Sequence, residues 1–269
     1  MLETEKRNPH STHIDKMSTR DMLKVMADEN YTVARAVEEA LPSIAAAVDR
    51  IADALSRGGR LIYVGVGSSG RLGVLDAAEC PPTYGVEPGM VVGVMAGGAP
   101  ALVRAAEGLE DSAEAGERDM IAAGVSSHDV VVGISAAGGA AYVVAAMRYA
   151  SRVGAFTVAL TANRSSAIDL IADQSIVVAT GPEVITGSTR MKAGTATKIV
   201  LNMLSTAAMI KNGKVYENMM IHIRPTNAKL TQRIINITCE ITGASREDAE
   251  KALKEVDWSI PAACERLKK

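Results

Sequence analysis

The segment Gly65-Val66-Gly67-Ser68-Ser69-Gly70-Arg71 puts glycines, hydroxyls and a cation into one short loop, and a carboxyl follows in Asp76-Ala77-Ala78-Glu79-Cys80-Pro81-Pro82. Glycines let a backbone approach a ligand closely, and a helix starting there adds unpaired N–H groups and the positive end of its dipole. Such a loop suits an anion. Glu79 stands in an apolar helix end, where it is expected to be buried, and a buried acid beside an anion loop is a candidate for proton transfer. Two further polar segments follow: Glu107-Gly108-Leu109-Glu110-Asp111, and Gly181 to Thr195, which carries Thr186, Ser188, Thr189, Arg190 and Lys192. Carboxyls in different environments can divide acid and base work, and hydroxyls with cations can hold a sugar or a phosphate. Each segment alone has a plainer reading, as a tight turn, a capped or ion-paired Glu79, or a solvated helix face for Glu107, Glu110 and Asp111. Their combination in one chain points to an enzyme.

Gly65, Gly67 and Gly70 also fit the dinucleotide pattern G-x-G-x-x-G. That pattern needs an acid at the end of the second strand to hold the ribose hydroxyls, and here the run Met90–Met95 leads into Ala96-Gly97-Gly98. A nicotinamide dehydrogenase is therefore the least favoured reading.

These residues need a scaffold that brings strand ends together. Five apolar, β-rich runs occupy the middle of the chain, Leu61–Val66, Met90–Met95, Asp129–Ser135, Phe156–Leu160 and Ser175–Ala179, with helical patterns such as Ala99–Glu117 and Ala141–Val153 between them. That alternation predicts an α/β fold with a parallel sheet between layers of helices. Arg20–Arg57 reads as helix broken near Pro42, with Val33, Ala36, Val37, Ala40 and Leu41 at helical spacing. Gly194–Ile210 reads as one long helix facing inward through Val200, Met203, Leu204, Ala207 and Ile210. In Asn236–Lys269, Gly243 marks a helix stop and Ser245 caps a helix running to Val256.

The composition narrows the function. Of 269 residues 48% are hydrophobic but only 3% aromatic, so base stacking is not expected, and a net charge of −2 leaves no basic footprint for nucleic acid. No apolar stretch approaches a membrane span, and the N-terminal residues lack the core of a secretion signal, which predicts a cytoplasmic protein without membrane partners. Cys80, Cys239 and Cys264 and the four histidines show neither a disulfide framework nor metal-ligand spacing.

The polar segments together resemble the N-acetylmuramic acid 6-phosphate etherases of the sugar isomerase (SIS) superfamily. The likeness runs from Thr4-Glu5-Lys6-Arg7-Asn8 and Ile14-Asp15 through Gly65–Gly85, Glu107–Asp111 and Gly181–Thr195. It continues through Asn202-Met203-Leu204-Ser205-Thr206, Gly213-Lys214-Val215 and Thr226-Asn227-Ala228-Lys229-Leu230. The resemblance implies a three-layer αβα sandwich with a five-stranded parallel sheet at 53–216, preceded by an N-terminal arm and helices (1–52) and followed by a short helical module (217–269). It also implies removal of the D-lactyl ether from an amino-sugar phosphate without metal or organic cofactor, in a homodimer whose partner helps close each site. By position, Glu79 resembles the acid that protonates departing lactate, and Glu110 the base at carbon 2. Gly67, Ser68, Ser69, Gly70, Arg71, Ser135, Gly138, Thr186, Ser188, Thr189 and Lys192 would bind substrate.

One departure bears on the substrate. Where the family usually reads Ala-Ser-Gly-Arg-Thr-Pro, this chain has Ala136-Ala137-Gly138-Gly139-Ala140-Ala141. The loss of two hydroxyls and a guanidinium predicts a weaker hold on phosphate, with Ser135 restoring one hydroxyl, and opens an etherase of a different, unphosphorylated sugar ether as an alternative. Other departures are milder: Ser68 stands for the usual threonine, His222 for a commoner acid, and the C-terminal module, resembling a ubiquitin-associated domain from near Thr238, lacks its final helices. A sugar-phosphate-binding regulator without turnover is the alternative from another class, and an aldose–ketose isomerase a third; both carboxyls at the expected positions, and the Glu-Cys-Pro-Pro segment, favour the lyase.

Overall fold

The computed structural model describes residues 2–104 and 108–268. Three short 3-10 turns in the N-terminal arm, Glu3–Glu5, Pro9–Ser11 and Ile14–Lys16, precede α1 (Thr19–Glu39) and α2 (Leu41–Ser56), which part at Ala40, with Pro42 in the first turn of the second helix. α2 buries Ile44, Ala47, Val48, Ile51, Ala52 and Leu55, an uninterrupted stripe at helical spacing. Leu41 departs from the expected stripe: it opens α2 rather than closing α1, and is 44% exposed.

Then come β1 (Leu61–Gly65), α3 (Gly67–Tyr84), β2 (Val91–Met95), α4 (Ala113–Ala122), β3 (Val130–Ile134), α5 (Ala141–Arg152), β4 (Phe156–Thr161), α6 (Ala167–Ile171), β5 (Gln174–Val177) and α7 (Lys192–Lys211). The five strands form one parallel sheet in the order β2-β1-β3-β4-β5, with β1 and β3 wholly buried. Ile62, Val64, Val131 and Ala159 share a core with Met120 of α4 and with Tyr142, Val143, Ala146 and Met147 of α5. The alternate residue Tyr63 meets α3 and α7 instead. Helices therefore flank the sheet, and each fully buried Val, Ile or Leu in these layers contributes about 1.5–3 kcal/mol.

Two helices differ from the sequence reading. Ala99–Glu117 does not form one helix. Gly97 and Gly98 both take positive φ, Ala99–Leu102 makes a short 3-10 turn, and α4 starts only after Ser112, whose hydroxyl accepts from the Ala115 N–H. Glu110 accordingly sits in a turn, and Glu107 lies outside the described residues. α3 does not end at the Pro pair: it continues through Pro81 and Pro82 to Tyr84, giving up the two N–H donors that would meet the carbonyls of Ala77 and Ala78, and the Gly85 N–H then closes on the Pro81 carbonyl. On α7 the buried set includes Val200, Leu201, Leu204 and Ala208, while Ile210 is 50% exposed.

The chain divides into two compact units, residues 1–78 with 89–208, and residues 79–88 with 209–269. The second unit has a hairpin, β6 (Val215–Tyr216) with β7 (Met219–Met220), and three helices, α8 (Ala228–Thr242), α9 (Arg246–Glu255) and α10 (Ile260–Leu267). Ile234, Ile235, Leu253, Ile260 and Ala263 form its core. α8 stops at left-handed Gly243 and Ser245 caps α9, as read from the sequence. Among the described residues no helix is long and apolar enough to cross a membrane.

Candidate functional site

A sheet ordered 2-1-3-4-5 reverses direction between its first and third strands, and ligands in such folds bind at the carboxyl ends of those two strands. A cavity of about 190 Å³ occupies that place. Val66 to Ser69, following β1, line one side; Ile134 to Ala137 and Ala140, following β3, line another; Glu110, Thr189, Gly194 and Thr197 complete it. Glu110 is the one charged residue of that lining.

The β1–α3 loop folds tightly because glycine allows it. A Cβ on Gly70 would stand 2.7 Å from the Gly65 carbonyl oxygen and 2.7 Å from the Met95 Cβ, so the helix could not start so close to the strand with any side chain there. The Gly70 N–H closes on Val66 O, whereas the N–H groups of Gly67, Ser68 and Ser69 and the hydroxyls of both serines find no partner among the described residues. Open donors at the start of an 18-residue helix favour an anion. The helix is held by buried Asp76, whose carboxylate accepts from the Tyr63 hydroxyl (2.8 Å) and the Asn202 side-chain amide (2.7 Å), tying β1, α3 and α7 together.

Glu110 is positioned through its backbone. Its carbonyl accepts from the Tyr142 N–H at 3.0 Å, at the first turn of α5. The Tyr142 ring is fully buried and its hydroxyl donates to Asp119 of α4 (2.8 Å); burial and the neighbouring carboxylate push that phenol well above its ordinary range, so it stays a donor. The Glu110 side chain is exposed.

The loop after β3 differs. The Ser135 hydroxyl lines the cavity but accepts from the Gly138 N–H (3.0 Å), and the Ala136 carbonyl accepts from Thr161 and Asn163. Gly138 does not itself line the cavity: at φ 77 it packs so closely that a Cβ would stand 2.1 Å from the Ser166 hydroxyl oxygen.

Of the segment before α7, Thr189 reaches the cavity, while Thr186 and Ser188 do not line it. Lys192 is turned away. It is 2% exposed, and its ammonium donates to Glu29 of α1 at 2.5 Å. The Glu29 carboxylate also accepts from Asn8 (2.8 Å) and meets the His10 ring at 2.7 Å. Burial works to raise its pKa, but the hydrogen bonds from His10, Lys192 and Asn8 and the lysine's charge prevail and hold it down at about 2. Fully buried Glu183 accepts from the N–H groups of Lys192 and Ala193, capping α7. Asn8 and Ser11 donate to the carbonyls of Pro182 and Val184, so the N-terminal arm fastens this loop. The sequence reading missed Glu29, Glu183, Thr197 and the arm's anchors. Glu29 had a signal: Glu29, Val33 and Val37 lie four apart, placing an acid on the buried stripe of α1.

Arg71 lines a neighbouring cavity of about 470 Å³, its guanidinium donating to the carbonyls of Ala101, Leu102 and Arg104. Glu79 belongs to the second compact unit and is exposed, not buried as expected from its apolar neighbours. Ala77 and Cys80 take the buried face of the helix there.

Comparison with known proteins agrees with this geometry. Residues 43–151 match the family model of the glucokinase regulatory protein N-terminal SIS domain, and residues 98–207 that of the SIS domain. A phosphoheptose isomerase from Neisseria gonorrhoeae superposes with a TM-score of 0.56 over 71% of this chain and 98% of its own, at 19% identity, which speaks for the fold. The N-acetylmuramic acid 6-phosphate etherase of Clostridium beijerinckii is 51% identical over 97% of this chain and 86% of its own length. That of Bacillus subtilis is 51% identical over 99% and 88%. With identity of that order across nearly its whole length, and with an SIS sheet whose crevice holds the expected carboxylate, the chain belongs to the N-acetylmuramic acid 6-phosphate etherase family.

Proposed function

We propose that this chain is a carbon–oxygen lyase that cleaves the D-lactyl ether of N-acetylmuramic acid 6-phosphate, giving N-acetylglucosamine 6-phosphate and D-lactate. The observation that carries this reading is Glu110 in the β1–β3 crevice among open hydroxyl and N–H donors, in a chain half identical to etherases. In the ring-opened sugar the carbon 1 aldehyde acidifies the carbon 2 proton. Glu110 takes that proton, and the electron pair moves to the aldehyde oxygen, where a hydrogen-bond donor stabilises the enolate. The pair then returns to form the carbon 2–carbon 3 double bond as the carbon 3–oxygen bond breaks, and lactate leaves with a proton from Glu79. Glu79, now a base, takes a proton from water as its oxygen adds at carbon 3, and carbon 2 is reprotonated. Gly67, Ser68, Ser69 and Thr189 hold the sugar phosphate, Gly70 lets α3 start close to β1, Ser135 and Gly138 shape the loop after β3, and Thr186, Ser188 and Lys192 act by setting the segment that carries Thr189.

The reading includes a cytoplasmic homodimer. Glu79, Glu110 and Ser68 are exposed in one chain, and an enolate needs water held off, so a second copy covers each site. The test is D-lactate release by the purified chain from N-acetylmuramic acid with and without its 6-phosphate. Release from the phosphate ester supports the reading; release from the free sugar alone moves the substrate class, and release from neither overturns it. Glu79→Gln is expected to abolish release while the fold persists, and unchanged turnover would remove Glu79 from the reaction.

A further inference from the structure

The substrate of the proposed reaction carries two anions, a phosphate on carbon 6 and the carboxylate of the lactyl group, and the crevice supplies no cation for either. Its lining holds hydroxyls, backbone and one carboxylate, Glu110. At about 190 Å³ it is also smaller than the roughly 300–1,000 Å³ usual for a small-molecule pocket, so a phosphorylated sugar ether extends beyond it. The continuation is the 470 Å³ cavity, which shares Ser68 and Gly194 with the crevice and is lined by Arg71, Arg190 and Lys198. Two helices build it. Ser68 and Arg71 stand one turn apart on α3, and Gly194 and Lys198 one turn apart on α7, so each helix turns one face to both cavities. None of the three cations has a carboxylate within ion-pair distance among the described residues, in a chain where Lys192, Arg60 and Arg152 each have one.

We propose that Arg190 and Lys198, facing Arg71, form the subsite for the carboxylate of the ether's lactyl group, while the phosphate takes the open donors at the start of α3. This rests on the function proposed above. The division follows from chemistry. A helix N-terminus with free N–H groups and hydroxyls accommodates a phosphate without side-chain cations, whereas a carboxylate leaving next to Glu110 needs positive charge to offset the repulsion between them. It also makes the subsite a selector: sugars lacking the acidic ether gain nothing from it.

The experiment is calorimetric binding of N-acetylmuramic acid 6-phosphate and of N-acetylglucosamine 6-phosphate, which has the phosphate but no carboxylate, to the full chain carrying Glu110→Gln to keep the ether intact. Adding Arg190→Gln and Lys198→Gln, both at exposed positions, is expected to weaken the muramic acid ligand roughly tenfold or more and to leave the glucosamine ligand unchanged. Equal weakening of both would assign the cations to phosphate, and no weakening of either would leave the cavity without a role; both results overturn the proposal. D-lactate release by the parent chain is measured beside these. Its absence would refute the lyase reading, while the ratio of the two affinities would still decide the carboxylate subsite.

Discussion

The loops after β1 and after β3 leave neighbouring strands of one sheet, border one cavity, and use their serine hydroxyls in opposite ways. After β1 the backbone runs straight into α3, and the N–H groups of Gly67, Ser68 and Ser69 find no partner among the described residues. After β3 the serine hydroxyl and the first carbonyl are engaged within the fold: Ser135 accepts from Gly138, and the Ala136 carbonyl takes Thr161 and Asn163. The base of the loop before α7 follows the second pattern, with Lys192 held by Glu29 and the first N–H groups of α7 held by Glu183. Open groups are available for a ligand, and closed groups hold the walls. Substitutions in the first class should therefore change binding without changing stability, and substitutions in the second should do the reverse.

The largest effect is expected at Glu29. Glu29→Gln leaves the Lys192 ammonium buried against a neutral amide, and loss of one partner of a buried pair costs about 3–5 kcal/mol, read as a lower urea midpoint at pH 7. The same pair makes stability depend on pH. With a folded pKa of about 2 against an ordinary 4.5, the Glu29 carboxylate stabilises the fold fully above pH 4.5 and loses that contribution as pH falls toward 2, about 3 kcal/mol in all. Urea titrations between pH 5 and pH 3 should show the decline, and Glu29→Gln should flatten it.

Next in size is the open loop. Ser68→Ala with Ser69→Ala removes two hydroxyls that meet no partner among the described residues, so KM for the phosphorylated ether should rise about tenfold per hydrogen bond to phosphate while thermal unfolding is unmoved. Ser135→Ala is the mirror experiment. It leaves the Gly138 N–H without its acceptor, costing about 1 kcal/mol of stability with KM nearly unchanged. A rise in KM there equal to that at Ser68 and Ser69 would erase the contrast between the loops. The smallest change sharpens it: Ala137→Ser places a hydroxyl in the cavity lining and is expected to lower KM for the phosphorylated substrate by a few-fold without altering stability.

Much of this was legible in the sequence, for reasons particular elements show. The buried strands β1 and β3 are continuous apolar runs bounded by Gly or polar residues, and the glycine loop between β1 and α3 declares itself because no other residue tolerates the close approach at Gly70. Helix starts with a serine cap, as at Ser245, were readable, and Ser112 carried the same signal, though apolar periodicity across 99–117 hid it. What could not be read were contacts between distant segments. Glu29, Asn8 and Lys192 meet across three parts of the chain, and only their meeting turns Lys192 from a ligand cation into a wall fastening. The exposure of Glu79 was hidden for a related reason, since apolar neighbours in sequence predict a buried helix face without saying which residues share it.

The most direct test of the account is D-lactate release from N-acetylmuramic acid 6-phosphate by Glu110→Gln at saturating substrate. If the β1–β3 crevice is the reaction centre and Glu110 its base, the rate falls by roughly 10²–10⁴ while thermal unfolding matches the parent chain. Release at the parent rate would place the chemistry elsewhere in the molecule and contradict the reading of the crevice.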